Sequence, residues 1–484
     1  MTDQAAHTPT PSASAPAIDP ALVDRLRGHV DALFPALQTD HEALVRIRSI
    51  SADAYQQAFV VSCSEAVATL FREAGIDDIK LLRAPRPDGS PGAPAVVACK
   101  PAPPGAPTVM LYAHYDVQPP GEGWDTDPFT PTVINGRMYG RGSADDKVGI
   151  IAHLGALRAL TAVGLFPDVG LTVFIEGEEE VGSPSFSNFL NKYRDNLQAD
   201  VIVVADSANW AVGTPALTTS LRGVVEGSID IDVLDHSVHA GLFGGPLIDA
   251  YTVACRLIAT MHDADGTVAI DGLVTSPEPA IDYDQAKFRA EAGVLPDTQL
   301  AGTGSISGRL WAKPSLAVLG IDATPTEQVA GILTPHTRLT LQVRLAPGQS
   351  PAAASQAVAA HLAKHAPFGA KVTWTPKENG RGWAADSDSV GMAAARSAFA
   401  AAWGKDPVDI GIGGSIPFIA DLLDAFPAAS ILVTGVEDPD SRAHGANESV
   451  DLGDLKNAVL AEALLLIQVA GTRKAGQTEQ AELT

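Results

Sequence analysis

The chain has 484 residues, 46% of them apolar, enough for a large packed core and too long for one ordinary domain. Its 57 Asp and Glu outnumber 33 Lys and Arg, for a formal charge of -24. A surface this acidic repels nucleic acid and anionic membrane and excludes both as partners.

Residues 1–18 read as a disordered leader, without the basic start and apolar run of a signal peptide. Between 21 and 74, apolar residues recur at helical spacing: Leu22, Leu26, Val30, Leu33, then Val45, Ile47, Val67, Leu70 and Phe71. The continuous apolar run 109–113 suits a strand buried on both faces. A helix is predicted over 148–160, and buried strands over 171–175 and 201–205. The texture then changes. Val225, Ile229, Ile231 and Val233 alternate with Asp230 and Asp232, and Leu339, Leu341, Val343 and Leu345 repeat the pattern. A helix over 352–365 and a strand over 371–375 follow, then a buried strand over 431–433 and a closing helix over 455–469. Residues 473–484 read as a flexible tail.

The fold class is therefore α/β: an α/β domain from 19–218 and 389–472, interrupted by a smaller α+β domain over 219–388. No apolar run is long enough to span a bilayer. Cys63, Cys99 and Cys255 are widely spaced and form no CxxC pair, so buried free thiols are expected. A reducing, cytoplasmic location follows.

Five polar segments fall at strand ends or in loops, where open α/β sheets bind ligands. They are HYDVQP at 114–119, GRGSADDK at 140–147, EGEEEVGS at 176–183, Asp206, and RAHGANE at 442–448. Singly, each has an ordinary reading: a buried His bonded to backbone, N-cap aspartates, a solvated acidic loop. Together they supply two His and several acids, the donor set expected for zinc. Two metals sharing a carboxylate would clamp the attacking and leaving oxygens of a hydrolysis.

These segments, in this order, resemble the aminoacylase/carnosinase superfamily of dizinc metallopeptidases, and most of all its carnosinase-type and cytosolic nonspecific dipeptidases. The resemblance runs from about 21 to 471. It implies that His114 and Asp206 hold one zinc, Glu180 and His444 the other, and Asp145 both, with a cis peptide after Asp145. Manganese or cobalt would also suit such a site. Asp116 would orient His114, and Glu179 would act as general base on the bridging water.

The inserted domain would serve as lid and dimerisation domain. His239, in HSVHAGLFGGP at 236–246, would reach across a homodimer to the scissile carbonyl, with His236 competing for the role. Arg344 would bind the substrate carboxylate, and Gly414 and Ser415, of GGSIP at 413–417, the substrate terminus. The chain departs from the family at Gly411-Ile412, where a polar pair is usual, and at Val148, where Gly is usual. The expected activity is dipeptide hydrolysis. An N-acyl-amino-acid deacylase is the alternative, and a non-catalytic binding or scaffold protein the remote one.

Overall fold

The computed structural model describes residues 17–414 and 417–472. The expected tail, and all but the last two residues of the expected leader, lie outside them. The chain divides into two compact units: residues up to Thr218 with Ala385–Val408 and those from Asp421 on, and Thr219–Ala384 with Asp409–Ala420. Segment 409–420 thus goes with the second unit, whereas its sequence grouped it with 389–472. The reason is hydrogen bonding to 219–222. Arg222 N–H donates to Ile412 O at 3.2 Å, and Thr219 Oγ1 to Ile410 O at 3.2 Å.

The first unit is built on a sheet with strand order Ile79–Leu82, Ala95–Lys100, Gly170–Glu176, Thr108–His114, Val201–Val204, Ser430–Val433, then the start of Ala216–Leu221. The four strands Gly170–Glu176, Thr108–His114, Val201–Val204 and Ser430–Val433 are parallel, so their carboxyl ends share one edge. The apolar runs explain why. Thr108–His114 is buried at every position but the first, and Gly170–Glu176 throughout, as a sheet covered on both faces requires. The helix Lys147–Ala162 is buried nearly all round, against Pro20–Val45 and Leu452–Ala470. The edge strand Ile79–Leu82 and its neighbour Ala95–Lys100 are short and were not legible as a pattern.

The second unit has an antiparallel sheet, ordered Ser315–Ile321, His336–Leu345, Gly223–Asp232, Lys371–Gly380. Helices Ala250–Ala259 and Pro351–His365 cover one face, where Val225, Ile229, Ile231, Leu339, Leu341 and Val343 meet Val253, Leu257, Val358 and Leu362. The polar alternates, among them Asp230, Asp232 and Arg338, pair with one another or with neighbouring His and Lys on the open face.

The cysteines differ from expectation. Cys63 is buried and Cys99 half-buried, but Cys255 is exposed, because the buried stripe of its helix runs through Ala250, Val253, Ala254 and Leu257. Among the described residues, no helix is long and apolar enough to cross a membrane.

Candidate metal centre

Parallel pairing sets His114 beside Glu176 at the ends of their strands. Asp206 follows the next strand, Val201–Val204, and the loop 442–448 comes after Ser430–Val433. Two groups of donors form there. His114, Asp146 and Asp206 make one, and Asp145, Glu180 and His444 the other, the donor atoms of each lying within 4.8 Å of one another. Asp145 touches both. Its Oδ1 is 3.0 Å from His114 Nε2, and its Oδ2 is 2.9 Å from His444 Nε2. Glu180 Oε2 lies 3.1 Å from the same His444 nitrogen. The peptide between Asp145 and Asp146 is cis.

The surroundings hold these groups in place. Asp116 Oδ1 is 3.4 Å from His114 Nδ1. The same carboxylate accepts from the backbone N–H of Glu179 at 3.3 Å and of Glu180 at 3.1 Å. It therefore orients the imidazole and the acidic turn together. Asp146 accepts from His114 N–H at 3.2 Å and caps its helix by accepting from Gly149 N–H at 3.2 Å. A Cβ at Gly149 would lie 2.5 Å from Asp146 Oδ1 and 2.8 Å from Ala205 O, so the glycine just after Val148 is what lets the carboxylate sit there.

The acidic run 176–180 splits in four directions. Glu176 accepts from Tyr112 Oη at 2.7 Å. Glu178 pairs with Arg86 Nε at 2.8 Å and takes a hydrogen bond from Ser185. Glu180 accepts from Gln118 N–H at 3.0 Å and Gln118 Nε2 at 2.8 Å while facing His444. Glu179 is left with a carboxylate to which no described residue donates a hydrogen bond.

Charge crowding is severe. Burial pushes Glu179 up to about 9 and Asp206 up to about 6, with neighbouring carboxylates adding to both. Burial also drives Asp146 and Glu437 well above the carboxylate range. Burial opposes charge on His114, yet its bonds to Asp116 and Asp145 hold it well above an ordinary imidazole. Bonds to Asp145 and Glu180 raise His444 to about 11. Acids that cannot all ionise among themselves are completed by cations. Two imidazoles with four carboxylates, and no thiolate, fit zinc, manganese or cobalt. Asp146 was legible in the sequence only as a cap, and Glu437 not at all.

Of the remaining expected residues, His239, Arg344 and Gly414 belong to the second unit. His239 is exposed, and its Nδ1 accepts from Gly241 N–H at 3.0 Å, which leaves Nε2 as a donor. His236 is also exposed but is bonded to Asp235, so the two histidines are not equivalent. Arg344 is half-buried, opposite Val224 on one side and Ser315 on the other, with no acidic partner among the described residues. Buried Arg222 lies in its field; burial, together with the Arg344 charge, pulls Arg222 down to about 10. Arg222 donates to Gly413 O at 3.1 Å and Ser315 Oγ at 3.0 Å, bracing the turn that continues into Gly414. Ser415 lies outside the described residues. The sequence signal for Arg222 was a lone charge between Leu221 and Gly223 in a buried stretch, and it went unread.

The model of Peptidase family M20/M25/M40 matches residues 110–468. The chain is 35% identical over 369 residues to the cysteinylglycine-S-conjugate dipeptidase of Corynebacterium striatum, covering 75% of this chain and 81% of that one. It is 28% identical over 402 residues to the Beta-Ala-His dipeptidase of Rattus norvegicus, covering 78% and 80%. The solved structure of a dipeptidase from Saccharomyces cerevisiae shares the fold, with a TM-score of 0.72 at 24% identity, over 93% of this chain and 99% of that one. With three-quarters of its length matched, the chain belongs to peptidase family M20/M25/M40.

Proposed function

We propose that this protein is a cytoplasmic, metal-dependent dipeptidase holding two zinc ions per subunit, with manganese or cobalt able to substitute. The observation that carries the reading is Asp145, whose two oxygens face His114 and His444 at 3.0 and 2.9 Å, as a carboxylate shared by two cations must. His114 and Asp206 would hold one ion, with Asp146 in reach, and Glu180 and His444 the other. Divalent ions there would polarise the scissile carbonyl and lower the pKa of water to about 7.

Glu179 supplies the proton transfer. Its carboxylate is half-buried beside the donors and takes no hydrogen bond from the described residues, and cations held by those donors would keep it ionised, as a base must be. It takes a proton from the attacking water as the C–O bond forms. It then gives that proton to the leaving amine as the C–N bond breaks. Asp116 keeps His114 and the turn bearing Glu179 in register.

Arg344 suits a free substrate carboxylate, which it can bind bidentately, and Gly414 and Ser415 would hold the same end. His239 would donate from Nε2 to the developing oxyanion of a partner subunit. A homodimer is supported by exposed apolar groups on the second unit: Leu242, Phe243, Leu319, Ile321 and Val329. Relatives named as dipeptidases support free dipeptides, rather than N-acyl amino acids, as the substrates of this chain. Unpaired cysteines support a reducing compartment.

The test is a panel of small dipeptides and N-acetyl amino acids, offered to metal-stripped and zinc- or manganese-restored protein. Metal-dependent dipeptide cleavage, lost in Glu179→Ala, is the expected result. Turnover of N-acetyl amino acids alone would reassign the protein to the deacylases.

A further inference from the structure

We infer that Glu448 is a positioning residue for the metal centre: its carboxylate locks the loop that carries Asp145 to the loop that carries His444. The inference rests on the two-metal reading of that centre. Glu448 is fully buried, and so is its partner Arg141. All of its carboxylate bonds go to one turn. Oε2 accepts from Arg141 Nη1 at 2.6 Å and Gly142 N–H at 3.0 Å. Oε1 accepts from Ala144 N–H at 2.8 Å and from the N–H of Asp145 itself at 3.1 Å. Arg141 Nη2 also donates to Gly445 O at 3.2 Å and to Pro119 O at 3.3 Å, and Gly140 N–H donates to Glu448 O at 3.0 Å.

Three converging backbone N–H groups make a nest for an anion, and here the anion is a side chain of the chain itself. A glutamine cannot replace it. One oxygen would be exchanged for an NH₂ that meets either Arg141 and Gly142 or the paired N–H groups of Ala144 and Asp145, donor against donor in a buried site. Asp145 and His444 come from segments about 300 positions apart in the sequence, and their donor atoms are 2.9 Å apart. Glu448, in the loop of His444 and bonded to the backbone of Asp145, is a direct mechanical link between the two loops. Loosening it should spread the donors without removing any of them.

The test is a cobalt(II) titration of the full-length protein, followed by visible absorption and by competition with a chelator. Wild type, Glu448→Gln and a packing control, Val450→Ala, are compared. Val450 is buried in the short strand Ser449–Asp451 that follows the loop, and it takes no part in the carboxylate's hydrogen bonds. Glu448→Gln should bind cobalt about 10–100-fold more weakly, the scale of lost outer-shell support, with an altered cobalt spectrum. Val450→Ala should lower the melting temperature yet keep the wild-type affinity and spectrum. Wild-type affinity and spectrum in folded Glu448→Gln would overturn the inference alone. No cobalt uptake by the wild type would overturn the two-metal reading and the inference with it. If Glu448→Gln does not fold, Arg141→Gln decides instead. It keeps the three backbone bonds but frees the carboxylate on one side, and unchanged affinity and spectrum there would overturn the inference.

Discussion

His114 closes a central strand of the sheet with its side chain wholly buried, whereas His444 sits in a loop with 60% of its side chain exposed. The first is held by strand register, by Asp116, and by the cap residue Asp146 on its backbone. The second stands at φ 61° between Arg442 at 56° and Asn447 at 64°, backbone that side chains seldom adopt. Tethers hold that loop: Asn447 to Asp125 at 2.8 and 2.9 Å, Arg137 to Asp438 at 2.8 Å, and Glu448 to Arg141. One side of the centre is therefore part of the core, and the other is delivered to it. Damage to the first should reach the fold, while damage to the second should stay with the metal.

The largest effect should belong to neither side. Glu179→Gln leaves every donor in place, so kcat should fall about 10²–10⁴-fold at unchanged metal content. Steady-state kinetics with metal analysis would read both, and a loss of metal instead would make Glu179 a ligand. The comparison itself is tested by His114→Ala against His444→Ala, unfolded by denaturant without metal. Removing His114 leaves buried carboxylates uncompensated and should cost about 3–5 kcal/mol. Removing the half-exposed His444 should cost under about 1 kcal/mol, and equal losses would break the contrast.

A smaller effect should come from Gly149→Ala. A methyl forced against Asp146 and Ala205 should cost about 1–3 kcal/mol, visible as a lower denaturation midpoint. Over a single pH unit, the smallest effect is one of pH on the buried side. Burial, helped by the Lys147 charge, pushes His41 down to about 3. Above pH 6.5 His41 is neutral in both states and the stability is fully present. As pH falls from 6.5 towards 3, the unfolded chain takes up a proton that the folded chain refuses. Stability then drops by at most about 1.4 kcal/mol per pH unit. His41→Leu should flatten the stability profile between pH 6.5 and 5, and an unchanged slope would place the proton uptake elsewhere.

Much of the centre could be read before folding because its parts are local. His114 and Asp116 follow an apolar run, and the acids at 176–180 follow another, so strand ends and chemistry coincide in the sequence. What each acid does was another matter. Glu176, Glu178, Glu179 and Glu180 share one composition, and their roles are separated by Tyr112, Arg86 and Gln118, which arrive from other segments. Asp146 looked like a cap and is one, but it also enters a donor group, a second duty that only the third dimension reveals.

The sequence by itself determined the class of fold, the two textures of domain, and the kinds of donor available, because periodicity and residue chemistry are local properties of a chain. Only the tertiary structure decided that Asp145 faces both histidines, that Glu448 ties their loops together, that Arg222 braces the turn before Gly414, and that 409–420 belongs with the second unit. Those outcomes depend on which groups meet after distant segments pack. A buried charge is tolerated only where such a meeting supplies its partner.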